Sequence, residues 1–174
     1  MASAYGTCVK ADPPAPGRRR DDRDTAMQLT RYTDYAIRIM LHVGSHDELS
    51  SIAQIADAYR ISKNHLMKVV QHLGQGGFLE TIRGRNGGLR LGRPAEEITL
   101  GQLVRHTEQG FTLVDCSTCL VAPACTVPRI LGEATQAFLA VLDRYTVADI
   151  LSRKVDMRNL FGGASSLGEV MAEI

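Results

Sequence analysis

Tryptophan is absent from the 174 residues, and tyrosine and phenylalanine together make up only 5% of them. That scarcity argues against an aromatic-lined groove of the kind that stacks sugars or single-stranded nucleic acid. Long hydrophobic runs are missing as well. The stretch 37–43 is interrupted by Arg38 and His42 and falls far below the roughly 20 apolar residues that a bilayer span requires. The opening MASAYGTCVK has no apolar block resembling a secretory signal. Together these absences point to a cytoplasmic protein with no membrane partner. In that compartment four cysteines serve metal binding or redox sensing rather than stapling a fold. What is present, 44% hydrophobic and 22% charged residues, is ordinary for a globular chain of one domain or two small ones.

The net charge of +1 conceals an uneven distribution. Between positions 60 and 93 stand Arg60, Lys63, Lys68, Arg83, Arg85, Arg90 and Arg93 against Glu80 alone. A stripe of this kind is either a solvated basic face or a surface that neutralises phosphates. Residues 1–26, with Pro13, Pro14, Pro16 and two opposed charge blocks, have no apolar periodicity and read as a disordered arm. Helical spacing begins at Met27, a plausible initiator, and continues through Tyr32, Ala36, Ile39, Met40 and Val43, with Gly44 as the expected stop.

Ser51 and Gln54 form a capping-box pattern before Ile52, Ile55, Ala56 and Tyr59, and only Arg60 and Ile61 separate that helix from the next cap, Ser62. Leu66, Val69, Val70 and Leu73 place one apolar stripe on the second helix, which Gly74, Gly76 and Gly77 terminate. Two helices joined so tightly read as helix-turn-helix. The following stretch, 78–91, has strand character on both sides of Asn86-Gly87, a strong hairpin signal. The expected fold is mainly α with a small β wing: a winged helix-turn-helix domain over 27–109. The first turn of a recognition helix enters the major groove, so Ser62, Lys63, Asn64, His65 and Lys68 are candidate DNA contacts. Arg83, Arg85 and Asn86 at the hairpin tip are candidates for the adjacent minor groove. For His65 and His72 a solvated or packed imidazole is the plain alternative.

A further capping box, Thr99 with Gln102, predicts a helix to about Gln109. Residues 110–127 contain cysteines and prolines without any period and read as a loop. From Pro128 the spacing of Leu131, Ala134, Phe138, Val141 and Tyr145 predicts a long helix, whose simplest partner is its own copy in a two-fold dimer. Thr146 to Asp149 suggests a last cap and short helix within 128–160, and 161–174 a flexible tail.

Cys116, Cys119 and Cys125 fall within ten positions of one loop, off any helix, so their sulfurs can converge. Thiolates in that pattern suit an iron–sulfur cluster, or zinc with a histidine such as His106 completing the site; three unliganded thiols are the plain alternative. Cys8 lies in the arm and reads as a spectator. Asp34, on the first helix, is on its own an acid near a positive dipole end.

The stretches MQLTRYTDYAIRIMLHV, ISKNHLMKVVQHLGQGGFLETIRGRNGGLRLG, ITLGQLV, the cysteine loop and LDRYTVADIL together resemble the winged-helix family of iron–sulfur regulators that includes IscR. Within it the resemblance is to the nitric-oxide-sensing repressors, and it covers Met27 to about Leu160. The resemblance implies a homodimeric repressor of double-stranded operator DNA, not an enzyme, whose cluster is held by Cys116, Cys119 and Cys125. It implies Asp34 of the partner subunit as fourth ligand to a [4Fe-4S] cluster, with [2Fe-2S] as the alternative and nitric oxide as the signal. Two departures stand out. The first two cysteines are closer than is usual in the family. Pro128 occupies the position where IscR-like chains place a histidine, which argues against the two-iron ligand set. The rival readings are a regulator of cluster biogenesis or general redox sensor of the same family, and, from another class, a small iron–sulfur electron carrier. Against the last, the chain has no Gly-rich nucleotide loop and no recognisable acid–base pair.

Overall fold

The computed structural model describes residues 28–108 and 110–161. The expected arm, with Met27 and Cys8, and the tail from 162 onward lie outside the described residues. Helix α1, Arg31–Ser45, begins later than the apolar spacing suggests because Thr30 caps it, its side chain accepting from the Thr33 N–H. Gly44 does not stop this helix. It sits inside α1 because a Cβ there would lie 2.5 Å from Leu151 Cδ1, so the glycine admits the Leu151 side chain.

Helix α2, Ile52–Tyr59, carries the expected capping box: the Ser51 hydroxyl accepts from the Gln54 N–H at 3.2 Å and the Gln54 side chain accepts from the Ser51 N–H at 2.7 Å. It ends on Arg60 in the left-handed conformation, φ 53° and ψ 44°, which lets the Arg60 and Ile61 amides close on α2 carbonyls. Helix α3, Lys63–Gln75, follows at once. Ser62 occupies its N-cap, yet the hydroxyl makes no capping bond, and the Ser62 carbonyl receives the His65 and Leu66 amides instead. The helix runs through Gly74 and closes where the Phe78 amide reaches back to the Leu73 carbonyl and Gly77 takes φ +70°.

Strands β1, Leu79–Ile82, and β2, Gly88–Leu91, pair antiparallel with Leu79 opposite Leu91 and Ile82 opposite Gly88. Ser50 adds a single bridge to Leu89 through two backbone hydrogen bonds, which ties the hairpin to the segment before α2. At the tip, a Cβ on Gly87 would lie 2.2 Å from the Ile82 carbonyl oxygen, so this turn requires glycine. Helix α4, Leu100–Thr107, has the expected Thr99–Gln102 capping box, with Ile98 and Leu103 fully buried.

The core gathers Ala36, Ile39, Met40 and Val43 of α1, Ile55 and Ala56 of α2, Leu66, Val69, Val70 and Leu73 of α3, and Phe78, Leu79 and Leu89 of the hairpin. Burial of such side chains contributes roughly 1.5–3 kcal/mol each and fixes how α3 is presented. Helix α5, Val127–Leu142, is one turn shorter than its apolar spacing suggests, because Asp143 caps it and leaves Tyr145 in the following turn. Only Leu139 of α5 is buried, while Ile130, Phe138 and Val141 are exposed. Helix α6, Val147–Ile150, opens with the Thr146–Asp149 capping box and returns to α4 through the Leu100 N–H to Tyr145 carbonyl bond. Residues 154–161 are helical and place Phe161 against His42 and Tyr59, ring centroids 4.8 and 5.5 Å apart. No helix among the described residues is long and apolar enough to cross a membrane.

Candidate functional site

One face of α3 is core and the other is free. Leu66, Val69, Val70 and Leu73 are buried, whereas Ser62, Lys63, Asn64, His65 and Lys68, all expected from the sequence, are exposed together with Met67 and Gln71. Spacing by three and four residues alone puts Met67 and Gln71 beside the expected contacts, although neither carries a charge that marks it in the sequence. At the wing, Arg83, Arg85 and Asn86 are exposed as expected. Among the described residues, Lys63, Lys68, Arg83 and Arg85 form no ion pair. Arg90 and Arg93 are occupied: Arg90 pairs across the hairpin with Glu80 at 2.8 Å, and Arg93 lies over the Phe78 ring and donates to the Gly77 carbonyl. The basic stripe therefore resolves into structural cations and cations left to solvent, and the latter lie on α3, on the wing and at Arg60 in the turn before α3.

His65 is exposed, whereas His72 is a packed imidazole. His72 stacks on His106 with centroids 4.0 Å apart, and the His72 carbonyl takes His106 Nε2 at 2.9 Å. Burial, and then the charge of His106, push the His72 pKa below its ordinary value.

Cys116, Cys119 and Cys125 are free thiols, Cys119 exposed and the other two half-buried. Successive turns connect them: the Cys119 amide donates to the Cys116 carbonyl, and the Cys125 amide closes a short 3-10 turn, Ala122–Ala124, by donating to the Ala122 carbonyl. Asp115, just before the first cysteine, accepts from the Ser117 amide at 2.9 Å, and hydrogen bonds from Ser117 hold its carboxyl below the ordinary range. Asp34 stands on the first turn of α1, where its carboxylate pairs with Arg38 at 3.0 Å and remains 45% exposed. The Arg38 partner was missed in the sequence although its i,i+4 spacing displays it. Glu108 was also missed, with no local signal to find it. Its carboxylate accepts from the Thr30 N–H at 2.8 Å and from the Thr30 and Thr33 hydroxyls, joining the end of α4 to the start of α1.

As a donor set, three unpaired thiols on one loop fit an iron–sulfur cluster. A single chain does not gather them further: among the described residues, no three histidines, cysteines or acids come close enough to hold a metal ion. His106, the histidine proposed to complete a zinc site, is engaged with His72.

A helix-turn-helix with a basic face, followed by a two-stranded wing, defines a winged-helix transcriptional regulator. Residues 29–153 match the Rrf2 family, described as an iron-dependent transcriptional regulator, and the chain belongs to that family. It is 48% identical over 141 residues to the HTH-type transcriptional regulator NsrR of Bacillus subtilis (strain 168), covering 77% of this chain and 97% of that one. The NsrR of Oceanobacillus iheyensis is 41% identical over 143 residues, 78% of this chain and 97% of the relative. Among solved structures, the fold resembles CymR (YrzC), the global cysteine regulator of B. subtilis, with TM-score 0.58 and 25% identity over 74% of this chain and 98% of that one. It also resembles T. potens IscR, with TM-score 0.61 and 23% identity over 75% and 90% of the two chains. These relatives are regulators, not enzymes.

Proposed function

We propose that the protein is a homodimeric repressor that binds operator DNA through α3 and the wing and releases it when nitric oxide reaches an iron–sulfur cluster. The observation that carries this reading is a loop with three free thiols, Cys116, Cys119 and Cys125, in a chain whose first helix packs on α3 and bears a half-exposed carboxylate, Asp34. The relatives named NsrR support it. Such a cluster, [4Fe-4S] with [2Fe-2S] as the alternative, would supply iron with affinity for nitric oxide. The three cysteines would hold it from one subunit and Asp34 of the partner subunit would hold it from the other. Helix α5, with Ile130, Phe138 and Val141 uncovered, offers the surface on which a second copy packs.

The residues of α1 make the connection to DNA. The Tyr32 hydroxyl, two positions before Asp34, donates to the Lys68 carbonyl of α3 at 3.3 Å. A carboxylate tied across the dimer therefore restrains the helix that holds α3. Without that tie it pairs with Arg38, as in the isolated chain. Two recognition helices must stand about one DNA turn, roughly 34 Å, or a related distance apart, so a modest rotation of α1 is enough to lose an operator.

The test is an anaerobic iron and sulfide count with an absorption spectrum, before and after nitric oxide, run beside duplex binding. Stoichiometric cluster, its loss of spectrum and release of DNA on nitric oxide are the expected results. Release by peroxide or iron limitation, with no response to nitric oxide, would instead favour a general redox or cluster-biogenesis regulator. A cluster-bearing protein with no salt-dependent affinity for duplex DNA would be an electron carrier.

A further inference from the structure

We propose that Met67 contacts the 5-methyl group of a thymine in the major groove, an inference that rests on the DNA-binding reading above. Met67 is 48% exposed on α3, outside the buried stripe of Leu66, Val69, Val70 and Leu73. Every other exposed side chain of that helix is a cation, an amide or an imidazole: Lys63, Asn64, His65, Lys68, Gln71 and Gln75. A single exposed apolar side chain on an ordinary surface needs no explanation. Here it lies among the groups that face the groove, where burial on binding returns the cost of its hydration.

The chemistry names the target. Of the four bases only thymine presents a methyl group in the major groove; the others show donors and acceptors alone. A thioether has no hydrogen to donate and accepts only weakly, so it gains little from those edges, while its flexible, polarizable chain packs closely on a methyl group. Lys63, Met67 and Gln71 are spaced by four and share one stripe, next to the stripe of Asn64 and Lys68. In that arrangement lysines suit phosphates, Asn64 and Gln71 suit hydrogen-bonding edges, and Met67 suits the methyl group.

The experiment starts from the duplex that the wild-type protein enriches from a randomised pool. Each thymine is replaced singly by deoxyuridine, which deletes the methyl group and leaves every hydrogen-bonding atom in place. Wild type is expected to lose about fourfold in affinity at one thymine of each half-site, the weight of one buried methyl group. Met67→Ala should bind the thymine duplex more weakly and be indifferent to uracil at that position, whereas Met67→Leu should keep the sensitivity. Circular dichroism of both variants verifies that α3 is intact. A wild-type protein indifferent to every substitution, or a sensitivity that persists in Met67→Ala, overturns the methyl contact and leaves DNA binding standing. A protein that enriches no duplex overturns both.

Discussion

The Glu108 carboxylate accepts the Thr30 backbone N–H at 2.8 Å, across 78 positions of sequence. The bond caps α1 from outside the helix and anchors the residue that leads into the cysteine loop. Glu108→Ala should therefore lower stability by about 1–2 kcal/mol, as loss of a charged cap does. Hydrogen exchange should show the loosening in the first turn of α1, beside Asp34. Wild-type protection there would mean that Thr30 alone holds the turn.

Asp34 and the cysteines should behave differently on replacement. Alanine at Cys116, Cys119 or Cys125 should remove most bound iron and sulfide, because thiolates are the preferred ligands. Asp34→Ala leaves three thiolates, so a cluster of similar spectrum can persist while operator affinity falls. Retention of both wild-type affinity and wild-type response to nitric oxide in Asp34→Ala would remove the link between subunits and turn the search for a fourth ligand to Asp115.

On the reading face, salt separates phosphate contacts from base contacts. Lys68→Ala should weaken binding to all sequences alike and reduce the salt slope by about one. Asn64→Ala and His65→Ala should each cost roughly 1–3 kcal/mol of operator discrimination. Binding isotherms on operator and random duplexes at several salt concentrations make the measurement, and unchanged affinity in all three variants counts against α3 as reader.

For the wing, Arg85→Ala should shrink the footprint at the outer edges of each half-site while protection of the centre persists. A footprint of full width would leave the wing as a solvated hairpin.

His42 gives a pH dependence of definite sign. It is 3% exposed, its Nδ1 has no hydrogen-bond partner among the described residues, and burial followed by the charge of His46 lowers its pKa to about 4. The folded chain thus refuses a proton that the unfolded chain accepts near the ordinary histidine value. Stability should be level above that value and fall as pH drops towards 4, with a slope of at most about 1.4 kcal/mol per pH unit for one proton. Chemical denaturation of wild type and His42→Leu between pH 7 and 5 reads it directly. The variant should show a shallower slope, not a flat one, because His72 is shifted in the same direction. Equal slopes would mean that His42 does not carry the effect.

Local chemistry made much of this fold legible. The Ser51–Gln54 and Thr99–Gln102 boxes each announce themselves within four residues, and the structure has both. The hairpin expected around Asn86-Gly87 forms as well, but the Gly87 amide closes its turn on the Gly84 carbonyl, so Arg85 and Asn86 stand at the centre. What stayed hidden depends on tertiary approach. Gly44 resembles a helix stop until Leu151 is seen to occupy the space beside it, and Ser62 resembles a side-chain cap although its carbonyl receives the bonds. Glu108, and the contact of Phe161 with His42, have partners too distant in sequence for any spacing to reveal. The thiols were visible as a motif. The convergence expected of them is not present among the described residues of one chain, and the fourth ligand proposed for them belongs to another.

Arg60 sits at the turn between α2 and α3 with a left-handed backbone that a glycine would adopt without strain, a difference of about 1–2 kcal/mol for an L-residue. The position therefore keeps a cation where stability alone favours none. Arg60→Gly should melt higher and hold DNA more weakly, so a thermal screen for sturdier variants would select against the protein's own binding. The corner joining the two helices is a point where robustness and affinity are opposed, and gains in one should be accompanied by losses in the other.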